Sequence, residues 1–190
     1  MGKKKMDEKS QKILLDLARS VIGTALGETS AGNRPEKGCD DLNEKCGCFV
    51  TLRKNGALRG CVGNIDPLFP LVEGVERNAL NAAFNDYRFE KLTRDEWPDV
   101  DIEISVLTRP ETIEFSDHED LFSQIRPGVH GVIISKGGKS ATFLPQVWEE
   151  LGGKKEFFAA LCQKAGLGSS CWKETGLCVQ VYEARYFSEK

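Results

Sequence analysis

An Asn-Gly pair between two β-forming runs constrains the fold of this chain more than any other feature of its sequence. Residues 48–52 are apolar and β-prone, and residues 57–62 follow directly after Asn55-Gly56. Asn-Gly favours the tight turn of a two-residue hairpin because both residues tolerate positive φ. The sequence therefore predicts an antiparallel β-hairpin across residues 48–62.

The second arm of this hairpin concentrates chemically active groups. Arg59, Gly60, Cys61 and Gly63 place a cation, a thiol and two glycines within five residues. Glycine permits positive φ or the close approach of a ligand to the backbone. Cys61 is thus a candidate nucleophile or soft metal ligand. The alternative is a small hydrophobic side chain packed inside a strand, since free cysteine is often buried.

The remaining pattern predicts an α+β fold. Apolar residues recur at helical spacing over residues 9–26, from Asp66-Pro67 to about residue 84, and over residues 154–165. A capping box of Ser116 and Glu119 predicts another helix that runs to residue 125. The other predicted strands are residues 100–108, 129–135, 140–144 and 178–187. Because short turns rather than βαβ crossovers join most strands, we expect a mainly antiparallel sheet flanked by helices.

Three further polar residues are candidates for a site. His130 lies between glycines, where it could serve as acid, base or metal ligand, or as a structural histidine at a strand end. Asp86 and Arg88 could hold each other as an ion pair, or Arg88 could bind a carboxylate or phosphate. His118, in the first turn of an acidic helix, is interpreted as a solvated side chain.

Composition argues against several classes of function. The net charge of −3 and the pI of about 5.6 give no general attraction to nucleic acid. No apolar run approaches the length of a membrane span, and no secretion signal is recognised, so a cytoplasmic location is expected. Residues 1–8 are expected to form a disordered basic terminus.

The seven cysteines are predicted to be reduced thiols, because an odd number without a secretion signal argues against a disulfide framework. Cys39, Cys46 and Cys48 lie close together in the chain but lack the CxxC spacing typical of zinc sites. No metal site is therefore predicted.

Six segments taken together resemble a known family, the AMMECR domain. In chain order they are Leu58-Arg59-Gly60-Cys61-Val62-Gly63, Asp86-Tyr87-Arg88-Phe89, Thr93-Arg94-Asp95-Glu96, Ser105-Val106-Leu107-Thr108, Gly128-Val129-His130-Gly131 and Ala141-Thr142-Phe143-Leu144-Pro145-Gln146-Val147. The likeness covers residues 13–187. Two departures are mild: Val62 stands where isoleucine is usual, and Tyr87 where a small residue is common. The cysteines near residue 40 are not part of the family pattern.

The resemblance implies a single domain over residues 9–190, with a larger and a smaller lobe around a cleft. The resemblance implies no established reaction, and it leaves any cofactor unknown. Prokaryotic members are commonly encoded beside a Memo-like protein and a radical S-adenosylmethionine protein, which suggests these as partners. The motif residues carried over by position are Arg59, Gly60, Cys61, Gly63, Asp86, Arg88, Phe89, His130, Gly131 and Pro145.

Two functional hypotheses follow from the residues and the resemblance. In the first, the protein is an enzyme or enzyme component in which Cys61 is the nucleophile and His130 its base or proton donor. Arg59 or Arg88, with Asp86 nearby, would bind an anionic substrate group, and backbone amides near Gly60 and Gly63 would stabilise developing negative charge. In the second, the same residues shape a non-catalytic surface that binds a partner protein or small ligand.

Overall fold

The computed structural model of the protein describes residues 6–28 and 40–189. Residues 1–5 of the predicted disordered terminus, and Cys39, lie outside the described residues. The helices are α1 (Glu8–Ala25), α2 (Asp40–Asn43), α3 (Leu71–Phe84), α4 (His118–Gln124) and α5 (Lys154–Lys164). The strands are β1 (Cys48–Lys54), β2 (Ala57–Asn64), β3 (Val100–Leu107), β4 (Glu111–Ile113), β5 (His130–Lys136), β6 (Lys139–Phe143) and β7 (Cys178–Ser188).

The chain divides into two compact units. Of the described residues, those up to Leu107 and those from Arg185 onward form the first unit, and residues 108–184 form the second. The pairings β1–β2, β1–β3, β4–β7, β5–β6 and β5–β7 are all antiparallel, and helices accompany the strands in both units. The predicted α+β class with an antiparallel sheet is therefore confirmed.

The predicted hairpin forms as expected. Asn55 and Gly56 have φ angles of 52° and 81°, the positive values that the tight turn requires. β1 and β2 pair along their length, with a register shift between Leu52 and Arg53.

Helix α3 begins later than its sequence pattern predicts. The expected start at Asp66-Pro67 is wrong, because the helix begins at Leu71 with Pro70 at its N-cap. A proline inside the helix would remove a backbone hydrogen bond, and it disfavours helical backbone at the residue before it. Pro70 therefore delays the helix until residue 71.

The first unit packs its helices on one face of a sheet with the order β2-β1-β3. Val50, Leu52, Ile102 and Ile104 contribute to the buried core with the apolar faces of α1 and α3. Since side chains alternate along a strand, Phe49, Thr51 and Arg53 of β1 point to the opposite face. The register places Cys61 of β2 and Glu103 of β3 directly beside Thr51.

The second unit has its own core. Its strands run in the order β6-β5-β7, with β4 also paired to β7. Helix α5 supplies Phe157, whose ring stacks on Trp148 at a centroid distance of 3.5 Å. Short 3-10 helices at Pro145–Glu149 and Cys171–Lys173 bring Trp148 and Trp172 into this core.

Two sequence-based interpretations in the second unit are corrected. Helix α4 is capped by Asp117, whose carboxylate accepts hydrogen bonds from the amides of Glu119 and Asp120, so the Ser116–Glu119 capping box is wrong. His118 is half-buried rather than solvated, because its ring packs against Phe122 and Trp172.

One disulfide joins Cys162 of α5 to Cys171, so the expectation that all the thiols are reduced is wrong. The counting argument fails because an odd number of cysteines still allows one pair to bond when the fold brings two of them together. In the part of the chain that the structure describes, no helix is both long and apolar enough to cross a membrane.

Candidate functional site

The backbone of Cys61 is held at the outer edge of β2 by two side chains from the segment after α3. Its N–H donates to Asp86 Oδ2 at 2.9 Å, and its carbonyl accepts from Arg88 at 3.2 Å. In an antiparallel strand both backbone groups of one residue point to the same side. Those of Cys61 therefore point away from β1, and Asp86 and Arg88 occupy the place of a neighbouring strand.

Asp86 and Arg88 also bind each other. The Arg88 guanidinium donates from Nε and an Nη to the two carboxylate oxygens at 2.9 and 2.7 Å. The Arg88 guanidinium holds the pKa of the Asp86 carboxyl well below its usual range, with help from the Cys61 amide. The structural ion pair considered from the sequence is therefore present, and we call it the edge clamp of Cys61.

The Cys61 side chain is half-buried and lies beside a hydroxyl group. Thr51 Oγ1, directly opposite on β1, donates to Cys61 Sγ at 3.3 Å. Burial raises the pKa of two other thiols of the same unit, that of Cys46 to about 12 and that of Cys48 to about 11. These two remain protonated at neutral pH, when a thiol is a poor nucleophile.

Arg59 is held by a carboxylate of its own. The Glu96 carboxylate accepts hydrogen bonds from Arg59 Nε at 3.1 Å and from Arg59 Nη2 at 3.0 Å. The same Nη2 also donates to the Glu90 carbonyl. The Arg59 guanidinium lies 5.9 Å from the centroid of the Phe89 ring. The other terminal nitrogen, Nη1, is buried and has no hydrogen-bond partner among the described residues.

The ion pair at Glu96 should make the stability of the first unit depend on pH. The Arg59 hydrogen bonds, with those of Lys54 and Thr93, lower the pKa of Glu96 from 4.5 to about 2. Because the folded value is the lower one, the stabilisation is present above pH 4.5 and is lost as the pH falls towards 2. We expect the urea midpoint of Glu96→Gln to fall less steeply than that of the native protein as the pH drops from 4.5 to about 2. An unchanged slope would contradict the assignment.

The two glycines of the motif have packing neighbours. A Cβ on Gly60 would lie 2.2 Å from the carbonyl oxygen of Ala82 in α3, and one on Gly63 would lie 2.2 Å from the Phe49 ring. Gly60 therefore lets helix α3 approach β2, and Gly63 accommodates the aromatic side chain opposite it. These contacts explain the two glycines by packing. A role of the glycines in ligand binding stays a prediction.

His130 belongs to the second unit, where it begins β5. It is buried, and both ring nitrogens face Arg126: Nε2 lies 3.0 Å from Nε of that arginine and Nδ1 lies 3.3 Å from its amide nitrogen. A neutral imidazole has one acceptor nitrogen, so one of these contacts is a hydrogen bond at a time. The pairing of His130 with Cys61 stays a prediction.

The structure thus brings Arg59, Cys61, Asp86 and Arg88 to one region of the first unit. Sequence reasoning missed Thr51 and the role of Glu96. The strand pattern alone could not have found Thr51, because the regular register of a hairpin with a two-residue turn pairs Cys61 with Val50. The register shift between Leu52 and Arg53 is what places Thr51 opposite Cys61. No group of three metal-ligating side chains occurs within residues 6–28 and 40–189.

Comparison with known proteins supports the family resemblance. The AMMECR1 family model matches residues 15–187. A protein of Methanothermobacter thermautotrophicus is 37% identical over 177 residues, covering 93% of this chain and 92% of the relative. Protein NEQ441 of Nanoarchaeum equitans is also 37% identical, over 93% of this chain and 98% of its own length.

A solved structure extends the likeness to three dimensions. The crystal structure of the uncharacterized protein PH0010 from Pyrococcus horikoshii matches with a TM-score of 0.87 at 36% sequence identity. The match covers 97% of this chain and 94% of that one. The chain therefore belongs to the AMMECR1 family.

Proposed function

We propose that the protein is an enzyme or enzyme component whose first unit carries a thiol-dependent site centred on Cys61. The observation that carries the proposal is the combination of a half-buried thiol, a hydroxyl donor and a clamped backbone at one position. A nucleophile benefits from such fixed surroundings, because little reorganisation is then needed when it reacts.

The neighbours of Cys61 suggest distinct roles. Thr51 would stabilise negative charge on the sulfur by donating its hydroxyl hydrogen. The N–H of Gly63 faces the same outer edge of β2 as that of Cys61, and among the described residues it has no partner, so it could stabilise charge that develops on a substrate oxygen. Arg88, whose side chain is 44% exposed, would attract an anionic substrate group.

Several expectations from the sequence enter the proposal without independent support. Three parts of the proposal rest on the sequence and the resemblance. They are the role of His130 as base, the cytoplasmic location, and the partnership with a Memo-like protein and a radical S-adenosylmethionine protein. The residues of the first unit alone support the thiol site.

The expected result for Cys61 is rapid alkylation by iodoacetamide at neutral pH, read residue by residue with mass spectrometry. We expect it to react faster than the exposed thiol Cys178, although Cys178 is more accessible. Thr51→Val should slow alkylation of Cys61 by about tenfold, because a hydrogen bond to a charged acceptor contributes about 1.5–3 kcal/mol. Thr51→Ser keeps the hydroxyl and should react like the native protein.

The same experiment contains its own controls. Cys48 is buried and should react only after denaturation. His130→Ala tests the predicted base, since a slower reaction of Cys61 would support it. If Cys61 stays inert until the chain is unfolded, the thiol is structural and the proposal fails.

A binding module is the second candidate function, and one observation favours it. Tyr87, between the two residues of the edge clamp, is 96% exposed, so its ring offers an aromatic contact to a partner protein. Tyr87→Ala should then weaken binding of a partner protein while alkylation of Cys61 stays unchanged. Loss of the reactivity of Cys61 in this variant would instead tie Tyr87 to the thiol site.

A further inference from the structure

A cavity of about 590 Å³ lies in the second unit, apart from the residues of the proposed thiol site. Its walls are residues 112–118 and 172–178. The first wall continues from β4 and the second leads into β7, and the paired part of these strands ends at Ile113 and Val179. Beyond that pair the two segments separate, and the cavity lies between them. Its volume is within the range of small-molecule sites, about 300–1,000 Å³.

One part of the lining is apolar and aromatic. Ile113, Phe115, Leu177 and Trp172 contribute to it, and the last two are more than nine-tenths buried. A wall of this kind favours a ligand with a flat hydrocarbon body, because burying apolar surface is the main source of affinity for small molecules.

Two nitrogen-bearing side chains of the lining, Lys173 and His118, lie beside Trp172. Lys173 Nζ lies 4.8 Å from its ring centroid, and the His118 ring centroid lies 5.4 Å from it. No carboxylate partner for Lys173 and no hydrogen bond from His118 is found in the described part of the chain. The indole N–H of Trp172 is buried and also unpartnered there. Two donor side chains next to the Trp172 ring, and the indole N–H itself, are therefore without an acceptor among the described residues.

The carboxylates of the lining are mostly engaged elsewhere. Asp117 accepts the first amides of α4, and Glu174 binds Lys136 Nζ at 2.7 Å. Glu114 is exposed, and its carboxylate is the remaining acidic group. Because two of the three acids already have partners, the donors at Trp172 are left for a ligand that brings its own acceptor.

We propose that this cavity binds a small aromatic carboxylate, with its carboxylate at Lys173 and His118 and its ring against the apolar wall. Lys173 supplies the charge, and the imidazole of His118 supplies an N–H donor. The Trp172 N–H is fully covered, so it would reach the carboxylate only if the indole moves. The site is independent of Cys61 and of the proposed thiol chemistry.

The proposal is tested by isothermal titration of the whole chain with benzoate, cinnamate and indole acetate, with cinnamyl alcohol as the neutral comparator. We expect at least one carboxylate to bind, and cinnamate to bind at least about tenfold more tightly than its alcohol. Lys173→Met keeps the aliphatic stem and removes the charge, and it should weaken carboxylate binding by about tenfold. His118→Phe keeps the ring contact and should weaken it less.

Lys155→Met is the matched control, because Lys155 is an exposed lysine of α5 outside the cavity. It should leave binding unchanged, and thermal unfolding should show that all variants are folded. The proposal is overturned if no carboxylate binds at concentrations up to about 10 mM, well above the dissociation constants of useful small-molecule sites. Equal binding by the alcohol, or by the folded Lys173→Met variant, would overturn it too.

Discussion

Replacing Asp86 by alanine is expected to lower the free energy of unfolding by about 2 kcal/mol, within the range for the loss of hydrogen bonds to a charged group. Asp86 is only 7% exposed and accepts from the Cys61 amide and from the amide and guanidinium of Arg88. Without it, a backbone donor at the edge of β2 loses its acceptor and Arg88 loses its counter-charge. Urea unfolding measures the loss, and faster hydrogen exchange at the Cys61 amide should accompany it.

Glu90→Ala provides the matched control for this prediction. Glu90 is an exposed acid four residues further along the chain, and among the described residues it makes a hydrogen bond through its backbone carbonyl, with Arg59, rather than through its carboxylate. Its removal should change stability by no more than about 0.5 kcal/mol. If Asp86→Ala proves as stable as Glu90→Ala, the edge clamp does not hold the strand.

Replacing Gly60 by alanine should have an even larger effect, a loss of at least about 3 kcal/mol, at the upper end of what overpacking costs. The added Cβ would lie 2.2 Å from the Ala82 carbonyl oxygen and 3.1 Å from its carbon. Both atoms belong to the backbone of α3, so no side-chain rotation relieves the clash. Strand β2 and helix α3 would have to separate, and the urea midpoint should fall accordingly.

A second readout connects this substitution with the edge clamp. Ala82 lies four residues before Asp86, so moving α3 away from β2 should also withdraw Asp86 from the Cys61 amide. Hydrogen exchange at that amide should therefore accelerate in Gly60→Ala. Gly168→Ala is the control, because nothing lies within 4 Å of its Cβ position. A Gly60→Ala variant that matches this control would contradict the close helix–strand contact.

Much of the secondary structure could be predicted because it depends on residues close together in the chain. The α1 pattern over residues 9–26 matches Glu8–Ala25, and Asn55-Gly56 forms the predicted turn. Predictions failed where two local signals competed. Asp66-Pro67 resembled a helix start, but Pro70 moved it to Leu71, and Asp117 capped α4 in place of Ser116. Strand β4 is only three residues long and was missed, since its partner β7 lies far along the chain.

The candidate site was predicted in part. Of the two alternatives that the sequence allowed for Asp86 and Arg88, the ion pair is the one observed, while the role of Cys61 stays a prediction. The disulfide between Cys162 and Cys171 could not be derived from the cysteine count, because bonding depends on which thiols the packing of α5 brings together.

The sequence by itself determined the hairpin, the helical stripes, the α+β class and the family motif, because these follow from periodicity, turn chemistry and residue order. Only the tertiary structure decided what the motif residues touch. Gly60 lets α3 approach β2, and this contact carries Asp86 to a Cys61 amide 25 residues away in the chain. An edge strand offers its unpaired backbone groups to any polar side chain that reaches them, and only packing determines which one does.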